Sequence, residues 1–276
     1  MKHAILGKGN LGSDISFFLN DPSNPKKKQK YEFFTRSNGF DWPAPLDRLM
    51  TYAPDVVWVS LGHGSVAEAK EDFVGAINCH VQLPNFLMEL MPSTTKLIFF
   101  STDYVACEDD PSNPKAQTQD PLSKYALSKL WMENLVKFKN RPNTCVVRVG
   151  SLYGGYKPGR TLPGKLRKAF KKPQTIRLPL NYITPTPTMY VASCLIKNLE
   201  KIFDDSNATF HHLAPKGNCQ VREWGELILG EGYEVLSKKI DRERPSVSEL
   251  GNTIEPPPHW LHLWESSRFH FDPKFF

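Results

Sequence analysis

The chain has 276 residues, 40% of them apolar and 12% aromatic, with a formal net charge of +6. That length can bury one large core or two intimate ones, and the composition excludes a disordered or low-complexity protein. No apolar run approaches the ~18 residues of a membrane span, the first residues lack a signal-peptide pattern, and the charge is too dispersed to argue for nucleic acid.

The moderate positive charge favours anionic small molecules such as phosphorylated cofactors. The lysine run Lys26-Lys27-Lys28-Gln29-Lys30 reads as a solvated loop. Five cysteines (Cys79, Cys107, Cys145, Cys194, Cys219) are odd in number and scattered, without a Cys-x-x-Cys pair. A reduced, cytoplasmic setting is the expectation. The eight histidines show no metal-ligand spacing, so no metal is expected; His211 and His212 would face opposite ways in a strand.

In chain order, Lys2 to Leu6 is a short apolar run ending at glycines and reads as a strand. Asn10 to Leu19 places Leu11, Ile15, Phe18 and Leu19 at helical spacing. Tyr31 to Thr35 is aromatic-rich and strand-like, and Leu46 to Tyr52 is a short helix ended by Pro54. Asp55 to Ser60 and Lys96 to Ser101 are apolar strands of the kind buried on both faces. Between them lies a helical stretch from Ser65 to Met91, with an expected break near Pro84. Pro121 to Phe138 reads as a helix and Thr144 to Val149 as a buried strand. Beyond these, Pro158 to Lys172, Thr188 to Ile202 and Val221 to Leu229 look helical, and Thr209 to Leu213 looks like a strand. Phe17, Phe18, Phe99, Phe100, Trp131 and Met132 are assigned to packing. Pro, Trp and His crowd the tail from Pro256 to Phe276.

Alternating strands and helices predict an α/β fold with a doubly wound parallel sheet. Residues 1–150 would form a nucleotide-binding domain of Rossmann type. Residues 151–276 would form a smaller, mainly substrate-binding α/β part, interleaved with the first.

Gly7-Lys8-Gly9-Asn10-Leu11-Gly12 is a Gly-x-Gly-x-x-Gly that follows the first strand and opens the first helix. Glycines allow a tight turn, and the helix N-terminus offers free N–H groups to a pyrophosphate. The second strand ends Phe34-Thr35-Arg36-Ser37, with no carboxylate for a ribose 2′-hydroxyl. Arg36 can pair with a 2′-phosphate instead, which predicts NADPH over NADH.

Tyr125-Ala126-Leu127-Ser128-Lys129 puts a phenol and an ammonium four residues apart, on one face of a helix. A cation there would stabilise phenolate and lower the tyrosine pKa from about 10, preparing a proton donor for a carbonyl oxygen. Chance supplies a second Tyr-x-x-x-Lys at Tyr153–Lys157, but Gly154, Gly155 and Pro158 make that stretch a loop.

These pieces together resemble the extended short-chain dehydrogenase/reductase family, and within it the dTDP-4-dehydrorhamnose reductases. The likeness lies in Ser101-Thr102-Asp103-Tyr104-Val105, Tyr125 to Lys129, Glu133, Arg148, Tyr153-Gly154, Pro185-Thr186, Phe210 to Ala214 and Arg244-Pro245. It implies NADPH-dependent reduction of the C4 keto group of a nucleotide-linked 4-keto-6-deoxysugar. By that resemblance Thr102, Tyr125 and Lys129 are catalytic, with Ser101 a substitute for Thr102. Gly7, Gly9, Asn10, Leu11, Gly12, Arg36, Leu61, Gly62, Tyr125 and Lys129 meet the cofactor. Thr102, Asp103, Tyr104 and Ser151 meet the sugar. A homodimer is compatible with the sequence.

The chain also departs from the family's pattern. Its glycine loop is one residue shorter between the first two glycines. Ser60-Leu61-Gly62-His63-Gly64-Ser65 replaces an Asn-Ala-Ala-Ala-like segment, and Ser151 replaces a tryptophan. His63 reads as a loop histidine. Two alternatives stay open: an epimerase or epimerase-reductase on the same scaffold, and a non-catalytic NADP-binding regulatory subunit.

Overall fold

Valine, isoleucine and aromatic residues dominate the strands at the centre of the molecule, and each of these strands is followed by a helical segment. A computed structural model describes residues 1–20, 29–35, 46–62, 64–106, 113–118, 120–154, 161–167, 175–231, 233–247 and 250–267. The first half runs β1 (Lys2–Leu6), α1 (Asn10–Leu19), β2 (Lys30–Phe34), α2 (Asp47–Tyr52), β3 (Val56–Val59), α3 (Val66–Glu71), α4 (Phe73–Ile77), a π turn (Asn78–Gln82), α5 (Leu83–Leu90), β4 (Lys96–Thr102), a 3-10 turn (Asp103–Val105), α6 (Lys124–Lys139) and β5 (Thr144–Val149). The second half adds β6 (Ser151–Tyr153), α7 (Leu162–Arg167), β7 (Ile176–Pro179), β8 (Tyr182–Ile183), β9 (Pro185–Pro187), α8 (Thr188–Lys197), β10 (Thr209–Leu213), β11 (Cys219–Gln220), α9 (Val221–Leu229), β12 (Val235–Lys238) and α10 (Trp260–Ser267).

Six strands form one parallel sheet in the order β2-β1-β3-β4-β5-β10. The order reverses direction between β1 and β3. A crevice opens outside the carboxyl ends of the strands at such a switch point, and ligands bind there. The two sheet faces carry separate cores. One holds Val57, Val59, Leu97 and Phe99 against Leu83, Met132 and Val136. The other holds Val56, Trp58, Ile98 and Val147 against α1 and α8.

A third core joins Tyr153, Trp224, Trp260 and Trp264 in the second half. That half also completes the main sheet, because β10 pairs with β5 from Thr209↔Cys145 to Leu213↔Val149. Among the described residues, no helix is long and apolar enough to cross a membrane.

The helical stretch before β4 breaks earlier than expected. Asp72 caps α4, and the π turn follows, whereas Pro84 sits in the first turn of α5, where its missing N–H removes no helical bond. Phe17 and Trp131 are 53% and 44% exposed, against their assignment to packing. Both lie on outward helix faces, while Ile15 and Met132 point inward.

Candidate active site

The site is built at the ends of β4 and β5 and the start of α6. Ser123 accepts a hydrogen bond from the Ala126 N–H and so starts α6 at Lys124, and left-handed Asn140 ends it. This places Tyr125 in the first turn and Lys129 one turn later. Thr102, the last residue of β4, caps the 3-10 turn that follows by accepting from the Tyr104 N–H. Thr102 donates to Asp103 Oδ1 at 2.8 Å. The Tyr125 ring packs edge-on with Tyr104, 6.1 Å away, and with His80, 5.8 Å away.

Lys129 Nζ donates to the Phe100 carbonyl at 2.9 Å. Burial pulls its pKa down to about 8, while Cys79 and Glu133 pull it back up. Tyr125 goes the other way from the expectation. Loss of water, then the Asp103 charge, pushes its pKa up, opposed by Thr102 and Arg244. The phenol is thus held protonated. Burial likewise raises Asp103 to about 6, with the Thr102 hydrogen bond and Arg244 opposing.

Below this group lies a buried clamp. Arg148 on β5 donates to both Glu133 oxygens, from Nε at 3.0 Å and from a terminal nitrogen at 2.7 Å. Gln117 donates to the same carboxylate at 2.8 Å. The clamp ties α6 to the sheet one turn past Lys129.

A cavity of about 280 Å³ opens above. Its floor is Ser101, Thr102, Asp103 and Tyr125, and Gly150, Ser151, Lys165, Trp224 and Arg244 are in its walls. Arg244 reaches across the chain to donate to the Tyr104 hydroxyl at 2.8 Å and pairs with Asp241 at 3.1 Å. Ser101 Oγ is buried without a hydrogen-bond partner, as a group awaiting a ligand or solvent would be.

The glycine loop sits beside this pocket at the switch point. Gly7 has φ +98°, and a Cβ there would lie 2.8 Å from Leu61 Cβ. A Cβ on Gly12 would strike the Gly7 carbonyl and stand 2.8 Å from Ser60 Oγ. Ser60 in turn donates to the Leu6 and Gly7 carbonyls. The loops after β1 and β3 are therefore in contact. Gly9, the N-cap of α1, faces open space, and the first turn has no side-chain cap and no acidic residue. This cradle fits the pyrophosphate of a dinucleotide.

The structure therefore brings together Gly7, Gly9, Asn10, Leu11, Gly12, Leu61 and Gly62 at the ends of β1 and β3, and Thr102, Asp103, Tyr104, Tyr125 and Ser151 around the pocket, with Lys129 buried one helical turn from Tyr125 and bonded to the Phe100 carbonyl. Arg36 and His63 lie outside the described residues. Tyr153 of the second Tyr-x-x-x-Lys match sits in strand β6, buried and bonded to Ser267, while Lys157 lies outside the described residues. Lys165 and His80 were not anticipated as site residues, and Arg244 only as part of the Arg-Pro resemblance.

Parallel sheet, glycine loop and Tyr–Lys helix define a protein of the short-chain dehydrogenase/reductase class. More narrowly, residues 49–244 match the RmlD substrate binding domain, and the chain belongs to that family. No curated protein matches it in sequence. The dTDP-4-dehydrorhamnose reductase of Clostridium acetobutylicum superposes with a TM-score of 0.82 at 22% identity, covering 100% of both chains. The same enzyme from Bacillus anthracis, solved in complex with NADP, gives 0.77 at 18% identity over 96% of this chain and 97% of that one. UDP-glucuronic acid 4-epimerase from Bacillus cereus, in complex with UDP-glucuronic acid and NAD, gives 0.76 at 17% identity over 100% of both. At these identities the shared property is the fold.

Proposed function

We propose that this chain is an NADPH-dependent reductase of the C4 keto group of a nucleotide-linked 4-keto-6-deoxysugar, acting in deoxysugar biosynthesis of the L-rhamnose kind. The observation that carries the reading is that the Tyr125 phenol and the Thr102 hydroxyl line one pocket, with Lys129 one helical turn away.

A bound nicotinamide supplies the hydride. Gly7, Gly9, Asn10, Leu11 and Gly12 would hold its pyrophosphate, Arg36 would pair with a 2′-phosphate, and Leu61 and Gly62 would pass close to its ribose and nicotinamide. Lys129 and Tyr125 hold the nicotinamide ribose. Thr102 hydrogen-bonds the sugar carbonyl oxygen, and Tyr125 delivers its phenolic proton there. Asp103, Tyr104 and Ser151 contact the sugar. Lys165 and Arg244, in the pocket wall, offer positive charge to the nucleotide diphosphate. Residues after 150 thus share the substrate part with the first half, supplying nine of the 19 residues that line the pocket.

The Tyr125 phenol, protonated at neutral pH, is in the state that reduction requires. A reductase needs the phenol protonated at the outset, whereas an epimerase that begins by oxidising the sugar needs a base. The test is NADPH oxidation with dTDP-, UDP- and GDP-linked 4-keto-6-deoxyhexoses. Turnover of at least one substrate is expected, with kcat/KM for NADPH exceeding that for NADH and dropping in Arg36→Ala. Redox-neutral conversion, or equal use of both cofactors, contradicts the corresponding part of the assignment.

A further inference from the structure

We propose that His80 is a positioning residue for Tyr125, one that ties the phenol to the loop following β3. Its kinetic consequences rest on the reductase reading; its geometry does not.

The stretch Ser65–Met91 would carry His80 on an ordinary helix. Instead Asn78–Gln82 is a single π turn, and such bulges re-aim side chains at functional sites. The turn leaves His80 only 2% exposed. Its Nδ1 lies 2.8 Å from Ser128 Oγ. Ser128 has one hydroxyl hydrogen and donates it to the Tyr125 carbonyl at 2.8 Å. That carbonyl can only accept, so Ser128 Oγ accepts from His80, and Nδ1 carries the hydrogen. The opposite edge of the ring meets the loop after β3, where a Cβ on Gly62, at φ +141°, would lie 2.9 Å from Nε2.

His80 therefore touches three parts of the site at once. It anchors to Ser128 inside the Tyr-x-x-x-Lys stretch. It packs edge-on with Tyr125 at 80°, as Tyr104 does at 85°, so two aromatic rings contact the phenol ring. It also backs Gly62. Arg244 holds Tyr104, and Ser128 holds His80. Proton delivery is sensitive to placement, and a shift of about 1 Å can lower a rate roughly 100-fold.

The experiment compares His80→Leu, which keeps bulk but cannot donate, with His80→Asn, whose amide N–H replaces the Nδ1 donor. Tyrosine is labelled with ¹³C at the ζ carbon, and the Tyr125 resonance is assigned by its loss in Tyr125→Phe. His80→Leu should shift or broaden that resonance, and His80→Asn should return it toward wild type. With keto-sugar and NADPH, His80→Leu should lower kcat by about 10- to 100-fold. Both KM values should change by less than about threefold, since binding contacts remain. His80→Asn should recover most of the loss. Ser128→Ala, which removes a single oxygen, should shift the same resonance and serves if His80→Leu fails to fold. An unmoved Tyr125 resonance in the folded variants overturns the proposal, as does a kcat loss that His80→Asn does not recover. If the wild type turns over no keto-sugar, the reductase reading fails, and the resonance still decides the role of His80.

Discussion

Replacing Glu133 by Gln tests the clamp that sets the height of α6 over the sheet. Glu133 and Arg148 are 0% and 1% exposed, and three N–H donors, two from Arg148 and one from Gln117, converge on the carboxylate. Gln has nearly the same shape but only one acceptor oxygen, and its own NH₂ must face a donor. The guanidinium also loses its counter-charge where water cannot replace it. Removing one partner of a buried pair destabilises by about 3–5 kcal/mol. The retained oxygen puts Glu133→Gln near the lower figure, about 3 kcal/mol, which is a fall of roughly 6–12 °C in Tm at this chain length. Adding Arg148→Met removes the stranded charge, so the double variant should regain more than half of the loss. Thermal melts by circular dichroism, with urea titrations alongside, measure both. A loss below about 1 kcal/mol, the range of an exposed ion pair, refutes the reasoning.

Gly12→Ala drives a methyl into the Gly7 carbonyl and Ser60, so the loop must move. NADPH affinity by fluorescence titration should weaken at least about tenfold, beyond the ~1 kcal/mol that ordinary Gly/Ala helix propensity involves; unchanged affinity would mean that this loop is not the cradle. Asp103 holds its proton up to about pH 6 in the folded protein, against 3.8 as a free side chain. Its contribution to stability is thus complete below the ordinary value and lost as pH rises through about 6. Asp103→Asn keeps an oxygen for Thr102 and buries no charge, so it should stabilise by up to about 3 kcal/mol at pH 8 and by less at pH 5. Urea unfolding at the two pH values decides it; the same difference at both refutes the shift.

The main sheet was legible because each strand is a continuous buried run and each helix has its own stripe. Asn10–Leu19, Thr144–Val149, Thr209–Leu213 and Val221–Leu229 keep their expected bounds. Strands β6 to β9, β11 and β12 were not legible. They have two to four residues each, and their partners lie far away in sequence, as Ser237 does from Leu178. The π turn was also hidden: Asn78-Cys79-His80-Val81-Gln82 has no glycine or proline to mark it, and Pro84 drew the expected break to the wrong place. In the site, Tyr125 and Lys129 could be found because helical spacing is a local property. What moves their pKa values could not, because burial, Asp103, Arg244 and Cys79 act on them only through the fold.

The most direct test of the central claim is single-turnover NADPH oxidation by wild type and Tyr125→Phe, with the keto-sugar that the wild type turns over fastest. The account predicts that Tyr125→Phe still binds NADPH, with any loss of affinity far smaller than a loss of about 100-fold or more in rate. Equal rates for the two proteins would contradict it, because Tyr125 would then not be the proton donor.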